Sequence, residues 1–69
     1  MKNNLKQLLY KIDQNKDFLS EEYPNTISIV FQIDMLLKYD VQEDIIIQWY
    51  ENCRHAIKII NELIERNNR

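Results

Sequence analysis

Residues 25–40 read NTISIVFQIDMLLKYD, and the conformation of this stretch sets the fold class. Taken as a strand, Ile27, Ile29, Phe31, Ile33 and Met35 alternate with Thr26, Ser28, Gln32 and Asp34, and only Val30 is out of step. Taken as a helix, Ile29, Val30, Ile33, Leu36 and Leu37 form one apolar stripe, while Ile27, Phe31, Met35 and Tyr39 form a second at i, i+4 spacing. A strand needs a partner strand, and the only other β-rich run is Ile45–Ile47, which follows a helix-cap pattern. We therefore expect a helix over about residues 25–39. The strand alternative requires pairing with a second copy across a dimer.

On either side of this stretch the pattern is helical. Leu5, Leu8, Leu9 and Ile12 follow i, i+3, i+4, i+7 spacing and predict a helix over about residues 4–14, stopped by the polar run DQNKD. Asp40 followed by Glu43 has the spacing of a capping box, so a long helix is expected over about residues 41–66. Placed at 100° per residue, Ile45, Trp49, Cys53, Ala56, Ile60 and Leu63 form its core stripe, flanked by Ile46, Tyr50, Ile57 and Ile64. Of the consecutive isoleucines, Ile45 and Ile46 are expected to be buried, and Ile47 to lie outside beside Glu51, Arg54 and Lys58. Glycine is absent and Pro24 is the one proline, which suits short helix connections built from Asn, Asp and Ser. The expected architecture is all-α: one domain over residues 1–69, a compact three-helix bundle made of a helical hairpin and a long C-terminal helix, completed by dimerisation where the second stripe needs cover.

Sixty-nine residues bury only about 60 % of the unfolded chain's surface, so a single core gives marginal stability. Cys53 is the one cysteine and cannot form an internal disulfide, and no Cys/His cluster has zinc-site spacing. Helix packing and association are left. The composition, 45 % hydrophobic and 29 % charged, is that of a globular chain, and no apolar run approaches the roughly 20 residues of a membrane span. No apolar core of a secretory signal follows the first lysines, so the expected location is the cytoplasm, with no membrane partner.

The formal net charge is -2, which disfavours direct nucleic-acid binding. Its distribution is uneven: +3 over residues 1–16, -7 over residues 17–51 and +2 over residues 52–69. The acidic middle is either neutralised by the basic ends within the fold or steers a basic protein partner.

LKQLLYKIDQNKDFLSEEY, residues 5–23, resembles the first helix and loop of an EF-hand, with Asp13, Asn15 and Asp17 at alternating oxygen positions and Leu19 and Ser20 following. DVQEDIIIQWYE, residues 40–51, resembles a second such loop, with Asp40, Gln42, Asp44 and Glu51 at ligand positions. Both depart from the family in lacking the glycine of the sharp bend. The resemblance implies a degenerate calcium module; the plain alternative is an Asn/Asp turn and a helix cap, with no metal. The stretch from Tyr39 to Glu51 is also similar to an acidic-aromatic segment in the C-terminal HEAT domain of eukaryotic translation initiation factors, a protein-docking domain. If residues 26–35 were a strand, the chain would be similar in plan to dimeric ribbon-helix-helix regulators.

Enzyme chemistry finds no support: there is no Gly-rich phosphate loop, and His55 is the only histidine. Cys53 and His55, two residues apart on a helix, point about 200° apart and cannot form a thiol-base pair. Cys53 is expected in the core and His55 in solvent. Glu21/Glu22 and Glu43/Asp44 are expected as charges near helix N-termini. We expect no catalytic residue and no cofactor. The expected role is that of a small protein-binding inhibitor, adaptor or regulator, of the antitoxin, immunity-protein or phage-regulator type, with a protein partner or a second copy of itself. The candidate contact residues are Ile27, Phe31, Met35 and Tyr39, with Ile47 and the acids Glu43, Asp44 and Glu51 as rim. At this length the row on residues 27–39 is either covered by the other helices or left for a partner.

Overall fold

The computed structural model describes residues 1–69 as five α-helices: α1 Lys2–Gln14, α2 Lys16–Glu22, α3 Thr26–Lys38, α4 Glu43–Asn52 and α5 Arg54–Asn67. No strand is present, so residues 26–38 are helical and no intermolecular β-ribbon forms from them. The three expected helices become five because Cys53 divides the third and a helix that the sequence did not suggest, α2, follows α1 after the single residue Asn15.

The first interruption is Asn15. Its backbone leaves helical geometry (φ -122°, ψ 21°), yet its carbonyl already accepts from Leu19 N at 2.9 Å, so it ends α1 and begins α2. The side chain is almost fully buried and donates to the Lys11 carbonyl at 2.8 Å, which occupies one of the carbonyls left open at the end of α1. Asn67 Nδ2 donates to Asn15 Oδ1 at 2.7 Å and ties this junction to the end of α5. A polar run that stops one helix therefore starts another, and Leu19 carries α2 into the core. Glu21 and Glu22 consequently lie at the C-terminal end of α2, not at a helix N-terminus.

The second interruption is Cys53 (φ -103°, ψ 10°), between α4 and α5. Hydrogen bonds from Cys53 N to the Trp49 carbonyl and from Ile57 N to the Cys53 carbonyl, each 2.9 Å, carry the i→i-4 pattern through it. The expected long helix is thus preserved as a path and broken as an element.

Between α3 and α4 the chain turns through Asp40, which adopts a left-handed conformation (φ 51°). Aspartate tolerates this region better than most residues, and with no glycine in the chain it takes the role of helix stop. The capping box expected from Asp40 and Glu43 does not form. Gln42 is the N-cap, extended at φ -68° and ψ 155°, and neither it nor Asp40 makes a side-chain cap bond. Asp40 instead pairs with Lys2, and Glu43 Oε1 lies 2.9 Å from the α-amino group of Met1, so both acids hold the start of α1.

The core consists of Leu5, Leu8 and Ile12 from α1, Leu19 from α2, Ile29 and Ile33 from α3, Ile46 from α4, and Ile57, Ile60 and Ile64 from α5. Helix α3 packs on α1 and α2, and α5 packs on α1, α2 and α4. The core stripe of α4 and α5 is rotated from the expected one. Ile46, Ile57 and Ile64, expected as flanks, are buried beside Ile60, while Trp49, Cys53, Ala56 and Leu63 are only half-buried. Ile45, expected inside, is 48 % exposed, and Ile47 is 45 % exposed. A helix meeting a convex core can hide one of three consecutive side chains fully, and here the middle one takes that place, with its neighbours falling about 100° to either side.

Candidate functional site

Four of the candidate contact residues come together as one exposed row along α3. Ile27 is 56 % exposed, Phe31 67 %, Met35 53 % and Tyr39 62 %. The i, i+4 spacing stacks them on one side of the helix, and Ile29 and Ile33 occupy the opposite side against α1 and α2. Helix α3 is apolar on both sides, and the fold covers one.

Toward its C-terminal half this row opens into an apolar groove of about 360 Å³. Its walls are Phe31, Met35 and Leu36 from α3, Tyr39 and Val41 from the turn that follows, and Trp49 from α4, with Gln32 as the polar member. Gln32 ties the two walls together. Trp49 Nε1 donates to Gln32 Oε1 at 2.7 Å, the Cys53 thiol donates to the same oxygen at 3.7 Å, and Gln32 Nε2 donates to Ser28 Oγ at 3.1 Å. A half-buried indole N–H needs an acceptor, and Gln32 supplies it from the facing helix. The groove is therefore a depression between two helices that this bond joins. At its outer edge the Lys38 ammonium lies 5.6 Å from the centre of the Tyr39 ring.

The remaining candidate residues lie elsewhere. By the helical step, Ile47 is about 160° around α4 from Trp49, so it faces away from the groove. Glu43, Ile47 and Glu51 follow i, i+4 spacing and, with Asp44, make a separate exposed acidic face. These four are not the rim of the α3 row, as the sequence suggested, but a second surface. Glu43 within it is engaged by the α-amino group.

Titratable groups near the groove are few. Burial pushes the Cys53 thiol up from its ordinary value, and burial likewise raises the Tyr50 phenol, whose ring meets Trp49 edge-on at 5.2 Å. A raised thiol pKa leaves Cys53 a weak nucleophile at neutral pH. His55 is exposed and makes no hydrogen bond with Cys53.

The two segments that resemble EF-hand loops are helical where the loops would be. Asp13 is in the last turn of α1, Asp17 in the first turn of α2, and the Asn15 amide between them is committed to Lys11 and Asn67. In the second segment, Asp44 and Glu51 are both within α4, and its only non-helical acid, Asp40, pairs with Lys2. Oxygen ligands held along a helix do not converge on one point as a calcium loop requires.

Gln32, Leu36, Val41 and Trp49 complete the groove and are not marked as contact residues by the sequence. A signal exists for Trp49, which shares i, i+4 spacing with Ile45, the isoleucine that proves exposed. None exists for Gln32, whose role depends on α4 lying beside it. No helix is long and apolar enough to cross a membrane. No protein-family model, no curated protein and no solved structure matches the chain.

Proposed function

We propose that this protein works by binding another protein chain through the α3 row and its groove, as a small inhibitor, adaptor or regulator. The supporting observation is that row: four large apolar side chains, each more than half exposed, on a helix whose other side already fills a complete core. Isolated exposed apolar residues are ordinary, whereas a contiguous patch continuous with an apolar groove is the signature of a docking surface. Aromatic and methionine side chains, which make up three of the four, are those enriched at such contacts. The acidic face of Glu43, Asp44 and Glu51 around Ile47 is a second, weaker candidate for a basic segment of the partner. No catalytic step is assigned.

The test is Phe31→Asp. Because Phe31 is 67 % exposed, the variant should keep the helical circular-dichroism spectrum and melting behaviour of the parent at low concentration. It should also lose every protein contact that the parent makes through α3. A variant that unfolds would make the row part of the core, and one that folds and binds as the parent does would move the contact to another face.

A further inference from the structure

We infer that the occupant of the α3 row is a second copy of this chain, packed antiparallel about a two-fold axis that crosses the exposed row between Phe31 and Met35. This rests on the row being a docking surface and names what it docks.

Area is the first support. With 53–67 % of each side chain exposed, the four residues leave free on the order of 500 Å² of mainly apolar surface. A standard interface needs about 800 Å² per partner, of which the row supplies roughly 60 % on its own. The row alone is at the upper end of what a monomer leaves open.

Charge permits this occupant. Helix α3 carries one acid, Asp34, and one base, Lys38, so the face has no net charge to set against a second copy of itself. The acidic face of α4, brought against itself, would repel. Self-association therefore belongs on α3.

Shape selects the orientation. In the antiparallel register centred on residue 33, Phe31 of one copy faces Met35 of the other, and Ile27 faces Tyr39. Each aromatic ring then meets an aliphatic or thioether side chain, including one sulfur–aromatic contact per half. A parallel pairing would stack each residue on its own copy, aromatic on aromatic and isoleucine on isoleucine. The groove lies at the C-terminal half of the row, by Met35 and Tyr39. The antiparallel pair brings Ile27, at the opposite end, over the partner's groove. The exchange is reciprocal, so the contact closes on itself as a dimer.

The first measurement is molar mass by light scattering from low micromolar to millimolar chain concentration. The expected result is a rise from 8.5 kDa to twice that value for the parent. Phe31→Asp and Met35→Lys should stay at one chain while remaining helical. Orientation is then read in a Cys53→Ala background by mixing Ile27→Cys chains with Tyr39→Cys chains under mild oxidation. Mixed disulfides should exceed self-disulfides several-fold, because residues 27 and 27 of two antiparallel copies are about 18 Å apart along the axis. Self-disulfides in excess would overturn the antiparallel pairing.

A parent that stays monomeric at every concentration would overturn the second copy as occupant. Binding of the apolar dye ANS separates that failure from failure of the docking surface itself. Dye bound by the monomer and released in Phe31→Asp would leave the α3 row a docking surface for a different chain. Dye binding that Phe31→Asp does not alter would overturn both.

Discussion

Helix α5 places Ile57, Ile60 and Ile64 in the core and turns Lys58, Glu62 and Glu65 to solvent, whereas α3 buries Ile29 and Ile33 and turns Ile27, Phe31 and Met35 outward. The first helix is finished by the fold. The second has the same kind of core stripe and a further apolar row that nothing in the chain covers. What separates them is the number of neighbours: α5 needs cover on one side and receives it from α1, α2 and α4, while α3 needs cover on two and receives it on one from α1 and α2. Apolar character along a helix thus measures how much contact the helix calls for, and the topology determines how much of it is internal.

This contrast is broken most directly by truncating matched residues. Ile33 and Ile60 are both fully buried, and replacing either by alanine removes three methyl or methylene groups and leaves a cavity. Each substitution should cost about 2–5 kcal/mol of unfolding free energy in urea titration. Phe31→Ala removes a larger side chain, yet at low micromolar concentration it should change stability by less than about 0.5 kcal/mol, since its ring is mostly in water already. A Phe31→Ala cost equal to that of Ile33→Ala would mean that the two sides of α3 are not different in kind.

The next largest effect concerns how α5 is anchored. Asn15 bridges the α1–α2 junction to Asn67 and also fills the Lys11 carbonyl, and its side chain is almost fully buried. Asn15→Ala strands the Lys11 carbonyl and removes the tie to Asn67, and should lower stability by about 1–3 kcal/mol. Asn67→Ala leaves only Asn15 Oδ1 without its donor and should cost less. Thermal melts of the two variants test this order, and equal or reversed costs would place the anchor elsewhere. Beside the outer row of α3 the comparable link is Gln32 to Trp49 at the groove wall, and Ile27 at the other end has none.

Much of this architecture is legible in the residues. The i, i+3, i+4, i+7 spacing of Leu5, Leu8, Leu9 and Ile12 specifies α1, and the lack of a partner strand makes residues 26–38 a helix. The i, i+4 spacing of Ile27, Phe31, Met35 and Tyr39 marks a surplus apolar face on that helix, and the fold leaves this face in solvent. The rotation of the α4–α5 stripe is not legible. At 100° per residue Ile45 and Ile46 are equally good centres of an apolar arc, and only the position of the other helices makes Ile46 the buried one. Cys53 breaks a helix without glycine or proline, so no local signal marks it, and the polar run that ends α1 gives no sign that α2 begins directly after Asn15. The groove depends on Gln32 meeting Trp49, seventeen positions away. Such a contact exists only once α3 and α4 lie side by side.

The smallest effect tests that contact from within. Cys53 stands between α4 and α5, its thiol donating to the Gln32 oxygen that also holds the Trp49 indole. Burial raises its pKa, so the neutral thiol is the form the folded state favours. For an acid whose folded pKa lies above its unfolded value, the associated stability is fully present below the unfolded pKa, about 8.5 for a thiol, and is lost as pH rises through the folded value. The urea midpoint of the parent should therefore fall between pH 8 and pH 10 by more than that of Cys53→Ala. The Tyr50 phenol, raised by burial in the same way, is common to both proteins and cancels in the difference. Alkylation of Cys53 by iodoacetamide at pH 8 should be slow in the parent and faster in Gln32→Ala, which frees both donors and loosens the groove wall. Equal alkylation rates would show that the wall between α3 and α4 is held by the apolar contacts of Leu36, Val41 and Trp49 alone, and the groove would then resemble the rest of the outer row, an apolar surface without a fixed shape.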